Sequence, residues 1–201
     1  MKTIQLITIL ALFSINAIGQ EKRSAKDAVG LQVGDAVKNF SAKDMNGDMY
    51  ELKEELKKGP IVVIFYRGQW CPVCNRHLNT LQENLQLIYD KGASVIAISP
   101  EKPEYLKISA EKTKASFSLL YDEAYVISDI FDVTFSPDAF TKASYNTVLG
   151  ANLKNAHSDE SQRLPIPATF IIGQDEKIIW RHFDPNYKER STVEDIVSNI
   201  K

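Results

Sequence analysis

The sequence has few cysteines, few glycines and no excess of charge of either sign. Only two cysteines occur in 201 residues, which excludes a scaffold held together by several disulfides. Nine glycines and eight prolines are too few for a collagenous or low-complexity chain. The 24 basic and 26 acidic residues give a net charge of −2, which excludes a broadly basic nucleic-acid-binding surface. The remaining composition is ordinary, and the length fits one domain with one buried core.

The first nineteen residues have the pattern of an export signal. Met1 and Lys2 precede an apolar stretch from Ile4 to Ile18, and small residues near Gly19 predict cleavage there. The stretch of about fifteen residues is shorter than the roughly 20 that span a bilayer, although an uncleaved anchor stays an alternative. We therefore expect export, most simply to a bacterial periplasm, and no stable membrane anchor. The expected layout is a signal peptide over 1–19, an exposed segment over 20–32 and one domain over 33–201.

Beyond the signal, buried strands alternate with amphipathic helices. Ile61–Tyr66 is a continuous β-branched and aromatic run, typical of a central strand buried on both faces. Leucines and isoleucines spaced by three and four predict a long helix from Pro72 to Asp90. The pattern predicts an α/β fold with a mainly parallel central sheet and helices on both faces, extended by an N-terminal hairpin. The other predicted elements are a turn at Asn46-Gly47, strands at 93–99 and 119–121, helices at 51–58, 102–115, 124–131 and 192–200, a polar insertion at 136–164 and a hairpin of 168–172 with 177–181.

Both cysteines lie where the predicted central strand gives way to the long helix, in Trp70-Cys71-Pro72-Val73-Cys74. The first turn of a helix offers unpaired N–H groups and the positive end of the macrodipole. Both stabilise a thiolate and lower the pKa of a cysteine placed there. Pro72 suits this turn because it has no N–H group. The spacing brings the sulfurs together, and any intramolecular disulfide must join Cys71 to Cys74. The motif therefore predicts a redox-active pair.

Other uses of these cysteines are weaker alternatives. They include a pair of inert buried thiols and a zinc site with His77 as third ligand, which would still need another ligand. A covalent haem is excluded because Asn75, rather than histidine, follows Cys74. A copper-binding chaperone would use the thiolates with the imidazole of His157 or His182, although the cysteine spacing weakens this alternative. We expect no metal and no other cofactor.

Four segments of the chain resemble the peroxiredoxin superfamily, in the peroxiredoxin-like branch of the alkyl hydroperoxide reductase/thiol-specific antioxidant group. The resemblance runs from about Val33 to the C-terminus. It implies a thioredoxin-like fold and the reduction of hydroperoxides through a cysteine sulfenic acid. The segments are Ile64–Cys74, Ala97–Glu101, Leu164–Ile172 and Phe183–Arg190.

The resemblance assigns roles to individual residues. Cys74 lies where the family has its peroxidatic cysteine, and Cys71 replaces the Thr or Ser that the family has three residues earlier. The arginine that orients peroxide in the family falls on Pro167. Arg67 and Arg163 are the nearest candidates to supply the missing hydrogen bonds to peroxide.

At the two positions where the chain departs from the peroxiredoxin pattern, Cys71 and Pro167, it is similar to thioredoxin. Trp70-Cys71-x-x-Cys74 resembles the thioredoxin active site, in which Cys71 would attack and Cys74 would resolve. The segment from Ile166 to Thr169 resembles the one that carries the substrate-docking cis-proline of thioredoxin, while Phe65 stands where thioredoxin has a buried acid. The candidate site residues are therefore catalytic Cys71 and Cys74 with substrate-binding Trp70, Arg67 and Pro167.

The leading prediction is a thiol-dependent peroxidase that is recycled by a thioredoxin-like or other dithiol reductant. The alternative is an exported protein disulfide reductase, and the copper chaperone is the least favoured reading. The expected substrate is accordingly a hydroperoxide or a protein disulfide. Nucleic acid is not an expected partner, and a homodimer is left open.

Overall fold

A computed structural model describes residues 23–201, so the predicted signal peptide lies outside the described residues. The fold is built on a five-stranded sheet with the strand order β5-β4-β3-β8-β9, accompanied by two small two-stranded sheets. The strands are β1 (Ser41–Lys43), β2 (Met49–Glu51), β3 (Ile61–Phe65), β4 (Ser94–Ser99), β5 (Ser118–Tyr121), β6 (Thr134–Phe135), β7 (Leu164–Pro165), β8 (Ala168–Ile172) and β9 (Ile178–Phe183). The helices are α1 (Leu52–Leu56), α2 (Pro72–Glu83), α3 (Leu85–Tyr89), α4 (Pro103–Thr113), α5 (Val126–Ile130), α6 (Ala139–Thr147), α7 (Leu153–Ala156) and α8 (Val193–Asn199).

Strand β3 lies at the centre of the large sheet, and all five of its residues are buried. It pairs in parallel with β4, which pairs in parallel with β5. On its other side β3 pairs antiparallel with β8, and the hairpin of β8 and β9 completes the sheet. The sheet is therefore mixed. Its parallel half follows from the helical crossovers, and its antiparallel half follows from the closing hairpin.

Two hydrophobic cores cover the two faces of this sheet. Alternate residues of β3 face opposite sides, as the period of a strand requires. Val62 and Ile64 pack on the core that includes α2, α3, α4 and α8. Val63 and Phe65 pack on the core that includes α1 and α5. The prediction of helices on both faces is confirmed. Because β3 is packed on both faces, its carboxyl end, which leads into the segment with the two cysteines, is held in place.

The long helix predicted over 72–90 is divided at Asn84. The backbone of Asn84 leaves the helical region at φ −116° and ψ 14°, so that α2 ends at Glu83 and α3 begins at Leu85. The Asn84 side chain donates to the Thr80 carbonyl, a local hydrogen bond that competes with the helix. Leu81, Leu85 and Ile88 are buried on both sides of the break. The apolar spacing therefore continues through Asn84, and the sequence pattern gives no sign of the break. Among residues 23–201, no helix combines the length and apolar character needed to cross a bilayer.

The turn between β1 and β2 is longer than the predicted two-residue hairpin. Asp44 closes it by accepting hydrogen bonds from the backbone N–H groups of Asn46 and Asp48. Only Gly47 has a positive φ, of +94°, whereas a tight turn at Asn46-Gly47 would require two positive values. The hairpin is confirmed, but the turn type is wrong, because the Asp44 carboxylate and the backbone hydrogen bonds of Asp44 with Gly47 and Asp48 close a longer turn.

The described part of the N-terminal segment, residues 23–32, lies against the domain rather than standing free. Ala28 is buried, and Arg23 forms an ion pair with Asp132. Arg181 of β9 donates to three successive carbonyl groups, those of Val29, Gly30 and Leu31. These contacts attach the segment to the large sheet, while half of the residues from 23 to 32 are exposed. The expected layout, with an exposed segment over 20–32, stays a prediction.

Candidate active site

The two cysteines are joined in a disulfide at the start of α2. Cys71 is the N-cap of this helix, and its sulfur accepts the backbone N–H of Cys74 at 3.3 Å. Pro72 occupies the first helical position, where no N–H is needed. The loop between β3 and α2 is short, so the buried strand holds the motif at the carboxyl end of the central strand. The sequence prediction of a CxxC pair at a helix N-terminus agrees with this geometry.

The disulfide is covered in this structure. Cys71 is 0% exposed and Cys74 is 1% exposed. Thiol–disulfide exchange requires a thiolate to reach one of the sulfurs. An external dithiol therefore reaches this pair only after the covering side chains move.

Arg67, one of the predicted substrate-binding residues, places its guanidinium beside the Cys71 sulfur. Its Nη2 is 3.5 Å from the Cys71 sulfur, and its Nη1 donates to the Tyr145 hydroxyl at 2.8 Å. The guanidinium lies 4.0 Å from the centroid of the Tyr187 ring and 5.4 Å from that of Trp70, within the range of cation–π attraction. Burial lowers the pKa of Arg67, but an arginine stays charged at neutral pH. A positive charge is thus held beside Cys71.

A second guanidinium, that of Arg190, contacts the other sulfur. Its Nη2 lies 3.9 Å from the Cys74 sulfur. Burial, followed by the like charge of Arg67, lowers the pKa of Arg190 to about 10. Within residues 23–201, neither arginine forms an ion pair with a carboxylate. Two uncompensated cations therefore flank the disulfide, an arrangement that stabilises a thiolate or another anion.

Arg163, the other candidate donor to peroxide, lies elsewhere. It forms ion pairs with Asp129 at 3.5 Å and Asp159 at 3.9 Å. Its guanidinium also stacks over the Tyr125 ring at 4.3 Å. These ion pairs already engage the charge of Arg163, and a role for it as a donor to peroxide stays a prediction. The guanidinium that contacts the Cys74 sulfur is that of Arg190.

Pro167 is buried immediately before β8, the strand that pairs with β3. No cis peptide bond occurs between residues 23 and 201. The bond before Pro167 is therefore trans, unlike the cis bond of the thioredoxin segment that this part of the chain resembles. A role of Pro167 in binding substrate stays a prediction.

The histidines do not complete a metal site in the described part of the chain. His77 lies 3.5 Å from the Ser191 hydroxyl, and burial together with Arg190 lowers its pKa to about 4. His157 is bonded through Nδ1 to the Tyr125 hydroxyl, and burial lowers its pKa to about 4. His182 lies on β9. No three His, Cys, Asp or Glu side chains between residues 23 and 201 are grouped to hold a metal ion, so these residues do not fit the zinc or copper alternatives.

Sequence reasoning missed three residues around the disulfide: Tyr145, Tyr187 and Arg190. Tyr145 belongs to α6, inside the segment predicted as a polar insertion, and no local signal distinguishes it from neighbouring residues. Tyr187 and Arg190 lie in the segment Phe183–Arg190, which the family resemblance includes. That resemblance was the available signal for them.

Comparison with known proteins concerns the family and the fold of the chain. The AhpC/TSA family model matches residues 33–181. Peroxiredoxin Bcp of Escherichia coli is 32% identical over 103 residues, which cover 51% of this chain and 65% of the relative. The match therefore spans less than two thirds of that relative. The thiol-disulfide oxidoreductase ResA of Halalkalibacterium halodurans is 25% identical over 130 residues, covering 63% of this chain and 72% of the relative.

A solved structure of peroxidoxin BcpB from Mycobacterium tuberculosis has a similar fold. It superposes with a TM-score of 0.65 at 19% sequence identity, covering 85% of this chain and 96% of the other. At this level of identity the similarity concerns the fold alone. The predicted thioredoxin-like fold is confirmed.

Proposed function

Because the chain belongs to the AhpC/TSA family, we propose that it is a thiol-dependent peroxidase that draws electrons from the Cys71–Cys74 pair. The observation that carries this proposal is the pair of uncompensated guanidinium groups on the two sulfurs, Arg67 beside Cys71 and Arg190 beside Cys74. A thiolate in such surroundings is a nucleophile near neutral pH.

In the first step, the Cys74 thiolate attacks one oxygen of the hydroperoxide. The O–O bond breaks, Cys74 becomes a sulfenic acid, and the other oxygen leaves as an alkoxide that takes up a proton to form the alcohol. With hydrogen peroxide the leaving product is water. Arg190 is suited to stabilise the charge that develops on the leaving oxygen, because its guanidinium is already held at the reacting sulfur.

In the second step, the Cys71 thiol attacks the sulfenic sulfur of Cys74. The S–O bond breaks, water leaves, and the disulfide seen in this structure forms. The N-cap position of Cys71 and the first turn of α2 bring the two sulfurs together without refolding. An external dithiol then returns two electrons and two protons, becomes a disulfide itself and regenerates both thiols.

A second candidate function is the reduction of protein disulfides. The observation that favours it is the surroundings of Cys71, whose sulfur is next to both the Cys74 N–H and Arg67. Those contacts stabilise a thiolate on Cys71, the residue that would attack a client disulfide. Cys74 would then resolve the mixed disulfide.

Comparing the two substrate classes on the wild-type protein tests the proposal. Fully reduced protein is mixed with hydrogen peroxide and with an organic hydroperoxide in a stopped-flow instrument, and insulin reduction is measured separately with the same dithiol donor. We expect oxidation within seconds at micromolar peroxide and insulin reduction no faster than with the donor alone. Rapid insulin reduction with slow peroxide consumption would instead favour the second candidate.

Export to a periplasm through cleavage near Gly19 is part of the same proposal. It is supported by the charged start and apolar stretch of residues 1–18, and by a redox pair that is suited to an oxidising compartment. The measurement is mass spectrometry of the full-length chain expressed in a bacterium and recovered from the periplasmic fraction. A mature N-terminus at Gln20 is expected, and a cytoplasmic product that retains residues 1–19 would contradict export.

A further inference from the structure

A buried carboxyl group, that of Glu101, lies beneath the loop that carries the CxxC motif. Glu101 follows β4 by two residues and is 0% exposed. Its Oε2 accepts the backbone N–H of Gln69 at 2.8 Å, whereas its Oε1 has no hydrogen-bond partner among residues 23–201. Acidic side chains are almost never fully buried without a partner for their charge. Glu101 takes no part in the steps proposed above, so its burial requires another explanation.

The backbone of the loop is shaped around this carboxyl group. Gly68 has a φ of +148°, and a Cβ atom on it would lie 2.5 Å from Glu101 Oε1 and 2.6 Å from Trp70 Nε1. Only glycine therefore fits between the carboxyl group and the indole. The Gly68 carbonyl in turn accepts the backbone N–H of Cys71. Glu101 thus contacts the two residues that lie two and three positions before Cys71.

Among residues 23–201, few charged groups face Glu101. Lys112 of α4 is bonded to both the carbonyl and the side-chain oxygen of Gln69, and its charge favours the ionised form of Glu101. The buried Tyr66 hydroxyl faces Glu101 from the end of β3. Burial outweighs the Gln69 hydrogen bond and the charge of Lys112, and it raises the pKa of Glu101 to about 8. The group therefore changes its charge in the pH range in which cysteine thiols titrate.

We propose that Glu101 is a positioning residue that holds the Gly68–Trp70 loop against the motif and makes the ionisation of the Cys71 thiol depend on its own charge. The inference rests on the proposed redox role of the pair. The carboxyl group contacts residues two and three positions before Cys71, and salt screens buried charges much less than exposed ones. An ionised Glu101 disfavours a nearby thiolate, whereas a neutral Glu101 does not. The carboxyl group and the thiol consequently titrate as a coupled pair.

The test follows thiolate absorbance in fully reduced protein between pH 5 and 10 without any peroxide, so that its outcome is independent of peroxidase activity. Glu101→Gln keeps an oxygen for the Gln69 N–H but removes the charge. We expect its thiolate titration to end at lower pH than that of the wild type, with a midpoint lower by about one unit, a tenfold change in the ionisation constant. Glu104→Gln removes an exposed carboxylate three residues later and should reproduce the wild-type curve.

Two results would overturn the inference. Superimposable curves for Glu101→Gln and wild type would show that the charge is not coupled to the thiols, and a shift to higher pH would show that only loop geometry matters. If the Glu101→Gln variant does not fold, a measurement on the wild-type protein still tests the proposal. The carboxyl carbon of Glu101, followed by NMR in the oxidised protein, should titrate near pH 8, and a midpoint below pH 5.5 would refute the proposal.

Discussion

Replacing Cys74 by serine is expected to abolish peroxide consumption, whereas replacing Cys71 by serine is expected to leave one turnover intact. Cys74 supplies the attacking thiolate in the proposed mechanism, and a serine hydroxyl is not ionised near neutral pH. The loss for Cys74→Ser should be about a thousandfold or more, the size seen when a catalytic nucleophile is removed. Cys71→Ser retains the nucleophile and Arg190 but cannot form the disulfide, so it should stop at the sulfenic acid. Single-turnover stopped-flow kinetics with a sulfenic-acid probe measure both effects.

The double variant, with both cysteines replaced by serine, serves as the blank for this experiment. Circular dichroism establishes that each variant keeps the wild-type fold. If the site worked as in thioredoxin, Cys71 would be the attacking residue, and the effects of the two substitutions would be exchanged. If Cys71→Ser lost all reaction with peroxide while Cys74→Ser kept it, the assignment of Cys74 as the peroxidatic residue would be wrong.

Replacing Arg190 by methionine is expected to slow the oxidation of Cys74 by peroxide by about a hundredfold, as for the loss of one preorganised donor at a reacting group. Arg190 is the guanidinium that contacts the Cys74 sulfur, and it has no carboxylate partner within residues 23–201. Its removal therefore takes charge from the site without leaving a buried acid unpaired. Methionine keeps much of the side-chain volume. Second-order rate constants for peroxide, measured on the reduced protein, give the effect.

Arg76→Met is the matched control, because Arg76 is an exposed arginine of the same α2 helix. It should change the rate by less than about twofold, since an exposed charge is screened. Arg190→Lys keeps a charge but not the planar fork, and should fall between wild type and Arg190→Met. Equal rates for Arg190→Met and Arg76→Met would remove Arg190 from the mechanism.

The parts of the fold that were predictable from sequence are those specified by local patterns. The unbroken apolar run of β3 can only be buried on both faces, and the cysteines follow it directly. Their position at the start of a helix was predictable from Pro72 and from the helical spacing of the apolar residues that follow it. The break at Asn84 was not readable, because the buried leucines continue in phase on both sides of it.

The surroundings of the disulfide were only partly predictable, because they are assembled from distant segments. Arg67 lies four residues from Cys71 and was identified. Tyr145 lies 74 residues after Cys71 in the sequence, and Arg190 lies 116 residues after Cys74. Tertiary packing, which no local pattern specifies, brings both to the site. Glu101 fell within a segment that resembles the family, but its burial depends on the packing of β4 beneath the Gly68 loop.

Titrating fully reduced protein with hydrogen peroxide and recording intact mass tests the central claim most directly, namely that Cys71 and Cys74 pass electrons to peroxide as a couple. We expect the loss of two hydrogen atoms per chain, complete at one equivalent of peroxide, with the new bond mapped between Cys71 and Cys74. A chain that keeps its reduced mass in excess peroxide, with both thiols still free, would contradict it.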